Sequence, residues 1–215
     1  MRSVIKAEQL SKRFGDKVLF ENMSFRIPEK TITIIHGPSG CGKSTLLNIM
    51  GTLEKPTSGN IRIFGKENPV PDSLVSKRLL RYKIGFLFQN YAVMEEETVE
   101  RNMLVSLAYA KNHDHKQIAD ALHAVGLDGY EKKKMYTLSG GEQQRCALAR
   151  LLIKPCSLVL ADEPTGNIDP DNRDKILELF IMMKEKGKTI VIVSHDDALD
   201  QYADRILYME GGVLR

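Results

Sequence analysis

A chain of 215 residues with 42% apolar and 27% charged side chains is long enough for one well-buried domain, or one domain carrying an inserted lobe. Its net charge of +3 gives no reason to expect nucleic acid as a partner, and its longest apolar runs are strand length, far short of the roughly 20 residues that cross a membrane. Three cysteines without paired spacing, and an N-terminus (MRSVIKAEQL) with no apolar core, predict a cytoplasmic protein whose membrane role, if any, is borrowed from a partner. The basic triplet Lys132–Lys134 reads as a solvated face.

In chain order, residues 3–35 read as strands: SVIKAEQLSK roughly alternates, FGDK turns, MSFRI alternates, and TITII is a short buried run after Pro28. KSTLLNIMG predicts a helix closed by Gly51. KPTSG is a turn, NIRIF a strand, SLVSKRLLRYK a helix, and IGFLF a strand again. From Tyr91 to about Lys154 the pattern is helical, with Thr98 capping TVERNMLVSLAYAK and KQIADALHAVG ending at Gly126. The strand SLVLA, a helix from about Asp171 to Lys186, the strand TIVIV, then RILYM and a Gly-Gly turn into VLR complete the chain. The plan is an α/β core with a mostly helical insertion between about residues 90 and 150.

HGPSGCGKST matches G-x-x-x-x-G-K-[ST] from Gly37 to Ser44, after a strand and before a helix. Backbone amides from Ser39 to Thr45 can wrap phosphates, Lys43 can place its charge near the β- and γ-phosphates, and Ser44 offers a hydroxyl to Mg²⁺. The bland alternative, a glycine-rich turn with a chance lysine, does not explain the flanking strand and helix. SLVLADEP brings Asp162 and Glu163 to the carboxyl end of a buried strand, where an open α/β sheet binds its ligand. TIVIVSH delivers His195 to the same edge, and IGFLFQ delivers Gln89. A lone histidine is more often structural than catalytic, but several strands bringing phosphate chemistry to one edge is a poor coincidence. LSGGEQQR, Leu138–Arg145, is a second anion seat: a small hydroxyl residue and two glycines opening a helix.

These elements, together with Phe14 in LSKRFG, resemble the nucleotide-binding subunit of ABC (ATP-binding cassette) transporters over essentially the whole chain. That resemblance implies a P-loop (RecA-like) core sheet with an N-terminal antiparallel β subdomain and an inserted α-helical subdomain. Residues 1–215 then form one nucleotide-binding domain, with about 1–89 and 155–215 as catalytic core and about 90–154 as the helical signature subdomain. It implies ATP and Mg²⁺ as cofactors, with hydrolysis of ATP to ADP and phosphate. The ATP site is then Phe14, stacking on adenine, with Gly37, Pro38, Ser39, Gly40, Cys41, Gly42, Lys43, Ser44 and Thr45. Ser44, Gln89 and Asp162 are the Mg²⁺ ligands, Glu163 the catalytic base, His195 the γ-phosphate switch, and Lys43 and Gln89 complete the catalytic set. Ser139, Gly140, Gly141 and Gln143 are expected on the ATP of a partner subunit, with Asn167 and Asp169 in the loop between subunits. The partners implied are a second copy of the chain in ATP and a separate membrane permease, which would hold the protein against the inner face of the cell membrane.

Within the family, GPSGCGKSTLLNIMGTLEKPTSG, FLFQNYAVMEEETVERN and EPTGNID look like the branch of MacB-type, lipoprotein-releasing (LolD-like) and FtsE-like ATPases. The short chain and FQNYAVMEEETVE look most like lactococcin-type bacteriocin exporters. Export of a peptide, lipoprotein or antimicrobial is therefore one expectation, and FtsE-like regulation of a membrane partner without transport the other. Ile168 stands where leucine is commoner, and Cys41 where serine or alanine is frequent; neither change removes a binding group. The permease contact is expected at the start of the helical lobe, where Tyr91, Val93 and Met94 read as exposed.

Overall fold

The computed structural model describes residues 2–110, 114–166 and 170–215. It begins with β1 (Ser3–Phe14) and β2 (Lys17–Pro28), paired antiparallel. β4 (Ser58–Ile63) pairs antiparallel with β1, and the short β5 (Lys66–Glu67) closes this four-stranded sheet in the order β2-β1-β4-β5. Alternation in the sequence becomes one buried face: Phe20, Met23, Phe25 and Ile27 point inward from β2.

The second sheet has six strands in the order β10-β9-β3-β8-β7-β6. They are β3 (Ile32–His36), β6 (Ile84–Leu87), β7 (Leu158–Asp162), β8 (Thr189–Val193), β9 (Arg205–Glu210) and β10 (Val213–Leu214). From β9 to β6 every pairing is parallel; only β10 runs antiparallel to β9. β3 and β8 are buried on both faces, which is why TITII and TIVIV are continuous apolar runs rather than alternating ones. Their side chains split between two cores. Ile32, Ile34, Ile190 and Ile192 face the long helices, whereas Ile35, Val191 and Val193 face the first helix and the antiparallel sheet.

The helices are α1 (Lys43–Met50), α2 (Leu74–Tyr82), α3 (Val99–Leu107), α4 (His115–Ala124), α5 (Gly140–Ile153) and α6 (Pro170–Glu185). Thr98 caps α3 as expected, its side chain accepting from Arg101 N–H at 3.1 Å, and Ser73 caps α2 in the same way. Two expectations need correction. Residues 91–97 are turns rather than helix, because buried Asn102 pins Met94 by bonding both its N–H and its carbonyl. Residues 125–139 are also mostly turn, with one 3₁₀ segment at Met135–Thr137; Leu127, Met135 and Leu138 anchor it to the core without helical periodicity.

Gly51 does end α1, but at φ −88 it uses no left-handed cap. Its glycine is a matter of space: a Cβ there would lie 1.9 Å from the Phe86 ring on β6. Because α1 carries the phosphate loop and β6 leads to Gln89, this contact sets the distance between two parts of the site. Gly51→Ala is expected to destabilise the fold by about 1–3 kcal/mol through overpacking. Chemical denaturation checks this; an unchanged midpoint would show that the Phe86 ring moves aside freely.

Candidate active site

The parallel sheet determines where chemistry collects. β3 runs into the loop 37–42, which leads into α1; β7 ends in Asp162 and Glu163; β8 ends just before Ser194 and His195; β6 ends two residues before Gln89. All four strands point the same way, so these groups meet at one edge. An open cleft of about 690 Å³ lies there, lined among others by Phe14, Lys43, Ser44, Gln89, Glu163 and His195.

In the loop, Gly40 and Gly42 take the left-handed conformation at φ +77 and +106, which curls the backbone into a concavity; the Cys41 N–H between them closes the turn on the Pro38 carbonyl at 3.3 Å. Gly37 is required for a different reason, since a Cβ on it would meet the Met209 carbonyl at 2.4 Å. The Lys43 ammonium is largely buried and donates to the carbonyls of Gly37 and Pro38 at 2.6 and 3.2 Å, so the lysine tethers the loop that it serves. Phe14, at the rim, is half exposed and carries the Lys12 ammonium 4.4 Å from its ring centroid. Lys12 is fixed in turn by Glu54 and the Lys55 carbonyl.

The Ser44 hydroxyl donates to Asp162 Oδ1 at 3.1 Å. Burial pushes the Asp162 carboxyl above the ordinary aspartate range; the Ser44 hydroxyl and Lys43 pull the other way, and Glu163 adds repulsion. A hydroxyl and a carboxylate oxygen in contact, with the Gln89 amide lining the same cleft, form an all-oxygen donor set that suits Mg²⁺. Glu163 follows in the left-handed region at φ +46, unusual for a residue with a side chain. Its Oε2 accepts from the Ser194 hydroxyl at 3.1 Å and lies 3.0 Å from His195 Nδ1.

Ser139, Gly140, Gly141 and Gln143 do not line this cleft. They open α5 elsewhere on the chain. Ser139 and Glu142 form a reciprocal cap, and Glu142 is held below the ordinary glutamate range by the Ser139 N–H and hydroxyl and by the Tyr130 hydroxyl. The Gln143 side-chain amide donates to the Met135 and Leu138 carbonyls, so it braces the turn before the helix. A Cβ on Gly140 would meet nothing within 4 Å, and one on Gly141 only the Arg145 guanidinium at 3.8 Å. Packing among the described residues therefore does not require these two glycines. Asn167 and Asp169 lie outside the described residues.

Of the three apolar residues expected at the surface after Gln89, only Met94 is exposed; Tyr91 and Val93 pack against the main core. Two residues that the motifs did not single out join the site's parts. Buried Gln144 donates to the Pro164 carbonyl and accepts from the Tyr91 hydroxyl, tying α5 to the loop after the acids and to the segment after Gln89. Ser194 is the other. Each sits next to a recognisable motif residue, so sequence spacing alone cannot distinguish it from filler.

Residues 20–166 match the family described as ABC transporter. The chain is 36% identical to the macrolide export ATP-binding/permease protein MacB of Mannheimia succiniciproducens, with 98% of this chain aligned to 34% of that protein. It is 35% identical to the lipoprotein-releasing system ATP-binding protein LolD of Bacteroides thetaiotaomicron, covering 99% of both chains. It thus spans about a third of the MacB relative and nearly all of the LolD one. The dimeric structure of a post-hydrolysis state of a Methanocaldococcus jannaschii ATP-binding cassette, bound to ADP and Pi, superposes with a TM-score of 0.89 at 32% identity, covering 98% of this chain and 96% of that one.

The raised Asp162 carboxyl yields a test. An acid with a raised folded-state pKa stabilises the fold below its unfolded pKa, and that contribution is lost as pH rises through the folded value. In the nucleotide-free protein, Asp162→Asn should therefore gain thermal stability relative to the parent as pH rises from about 4 to about 8. If the difference between the two instead stays flat or shifts toward the parent as pH rises, the Ser44 bond and Lys43 outweigh burial.

Proposed function

This chain belongs to the ABC transporter family as an ATP-binding subunit of the MacB and LolD type, and on that premise we propose that two copies close around two ATP molecules and drive a separate membrane permease. The observation that carries this reading is the separation of the two anion seats. The cleft holds the phosphate loop, Glu163 and His195 but none of the residues that open α5, and among the described residues nothing would crowd a side chain on either α5 glycine. Each site is completed when Ser139, Gly140 and Gly141 of one subunit meet the γ-phosphate held by Lys43 of the other. A two-fold isologous pair satisfies both sites at once, and the M. jannaschii cassette bound to ADP and Pi is a dimer.

In this reading Phe14 stacks on the base, while the loop amides and Lys43 take the phosphates. Mg²⁺, held by Ser44 and Asp162 with Gln89 beside them, would neutralise charge on the β- and γ-phosphates. The oxygen of a water attacks the γ-phosphorus, its proton passes to Glu163, and the bond to the ADP oxygen breaks with its electron pair. His195, with Nδ1 against Glu163, keeps Nε2 for the γ-phosphate. Loss of that phosphate removes the bridge between subunits and converts binding energy into motion.

Glu163→Gln keeps shape and hydrogen bonding but removes the base. The variant should bind ATP, run as a dimer in Mg-ATP and as a monomer without it, and lose turnover by roughly a hundredfold or more. Adding Ser139→Arg should abolish the dimer while leaving ATP binding intact. Light scattering decides it: a Glu163→Gln chain that stays monomeric in saturating Mg-ATP would sink the two-seat clamp for the isolated protein.

For the permease contact the supporting feature is a groove of about 320 Å³ between α2, α3, α5 and β6. It is lined by Lys77, Arg81, Arg150 and Lys154 beside Tyr109 and Val105, and by no carboxylate. Burial lowers the pKa of both Arg150 and Lys154, so the groove favours an acidic amphipathic segment. Met94 is exposed in the turn that follows Gln89. The segment from about residue 90 to 154 then serves as the lobe that reads the permease, placing the protein at the inner face of the membrane. The exported cargo is a peptide, lipoprotein or antimicrobial, the lactococcin-type likeness favouring a bacteriocin, and it is selected by the permease. Met94→Asp should lose co-purification with the membrane partner from detergent while the isolated chain hydrolyses ATP normally. Loss of hydrolysis with the partner still bound would contradict this, and a partner without a transport pathway would move the protein to the FtsE-like role.

A further inference from the structure

We propose that Ser194 is the positioning residue for Glu163, selecting which carboxylate oxygen receives the proton of the attacking water; this rests on reading Glu163 as the base. Ser194 is fully buried just past the end of β8, and every polar group it has is engaged. Its N–H donates to the Ile35 carbonyl at 3.1 Å, and its carbonyl lies 3.2 Å from His36 Nδ1. Both contacts are with the last residues of β3, immediately before the phosphate loop. His36 is itself buried and anchored at Nε2 by Asp200, 2.6 Å away. The backbone of Ser194 is thus clamped to the strand that carries the loop.

The hydroxyl is equally determined. Ser194 Oγ receives the Asp196 N–H at 3.1 Å, and a backbone N–H can only donate. The single proton of the hydroxyl is therefore free for Glu163 Oε2, 3.1 Å away, and an ionised carboxylate can only accept it. Oε2 consequently faces Ser194 on one side and His195 Nδ1 on the other. Oε1 has no partner among the described residues and is the oxygen left for water. The rest of Glu163 is not set by local preference: its backbone is left-handed at φ +46, a conformation that a side chain disfavours. The Glu163 N–H bond to the Val193 carbonyl and the Ser194 bond to the carboxylate hold both ends of the residue to the last residue of β8 and the one after it. A displacement of the phosphate loop is thereby passed through one buried serine to the base.

The test is a double-mutant cycle on the full chain. Ser194→Ala should lower kcat roughly tenfold or more with the Kd for ATP unchanged, and Ser194→Thr, which keeps the donor, should restore it. In the Glu163→Gln background Ser194→Ala should add no further loss, because its route to the reaction is already gone. In the nucleotide-free chain, deuterium exchange across residues 163–166 should quicken with alanine and return with threonine. Should the alanine variant fail to fold, Ser194→Cys, with a weak donor in a similar volume, takes its place and should fall between serine and Glu163→Gln. Full turnover in Ser194→Ala, additive losses in the cycle, or weaker ATP binding in step with kcat would each overturn the proposal. Intact turnover in Glu163→Gln alone would instead overturn the base assignment on which it rests.

Discussion

The position of β8, hydrogen-bonded between β3 and β7, is the constraint on which the rest of the structure depends. Parallel register aligns Ile35 with Val193 and Val193 with Asp162, so the phosphate loop, the acids and the histidine leave the sheet side by side. Glu163 and Ser194 then bond back across the same strands, Glu163 to Val193 and Ser194 to Ile35. The cores on the two faces of this sheet are separate, one shared with α1 and the antiparallel strands and one with α5 and α6. Movement of the α5 lobe can therefore leave the phosphate loop seated on its own core.

Most of this was legible in the sequence, for a physical reason. Strands buried on both faces must be apolar throughout, and the groups that follow them are polar because they meet ligand, so TITII–HGPSG, SLVLA–DE and TIVIV–SH stand out as abrupt transitions. The cap at Thr98 was legible because its side chain satisfies a helix amide locally, whereas Ser139 was read as part of an anion seat and proves also to cap α5. The turns at 91–97 and 125–139 were not, because their shape comes from tertiary contacts: Asn102 holding Met94, and Leu127, Met135 and Leu138 entering the core. Gly51 reads as a cap in sequence and proves to be a packing requirement, since only the fold brings Phe86 against it. Ser194 and Gln144 were missed because their importance lies in partners 31 and 20 residues away.

Gln144 also shows how distant parts of the protein are connected. It touches the Pro164 carbonyl just after the acids and the Tyr91 hydroxyl two residues after Gln89, while sitting on the helix whose first turn lies outside the cleft. The start of α5, the loop after Asp162 and Glu163 and the lining of the basic groove thus share one buried amide. In the proposed cycle, contact made at α5 by one subunit reaches the other surfaces through hydrogen bonds rather than through loose packing. Any change there is discrete, because a buried amide left unpaired costs about 1–3 kcal/mol.

The central claim is that each ATP site is built from two chains, and mixing two defective variants tests it most directly. A Lys43→Ala chain lacks its own phosphate seat but keeps Ser139; a Ser139→Arg chain keeps Lys43 but blocks the seat it offers to its partner. Each alone should be inactive. Mixed in equal amounts they should recover ATPase activity, up to about a quarter of the parent rate, since half the dimers hold one intact composite site. A mixture as silent as its components would contradict the account, because it would mean that both seats must act within one chain.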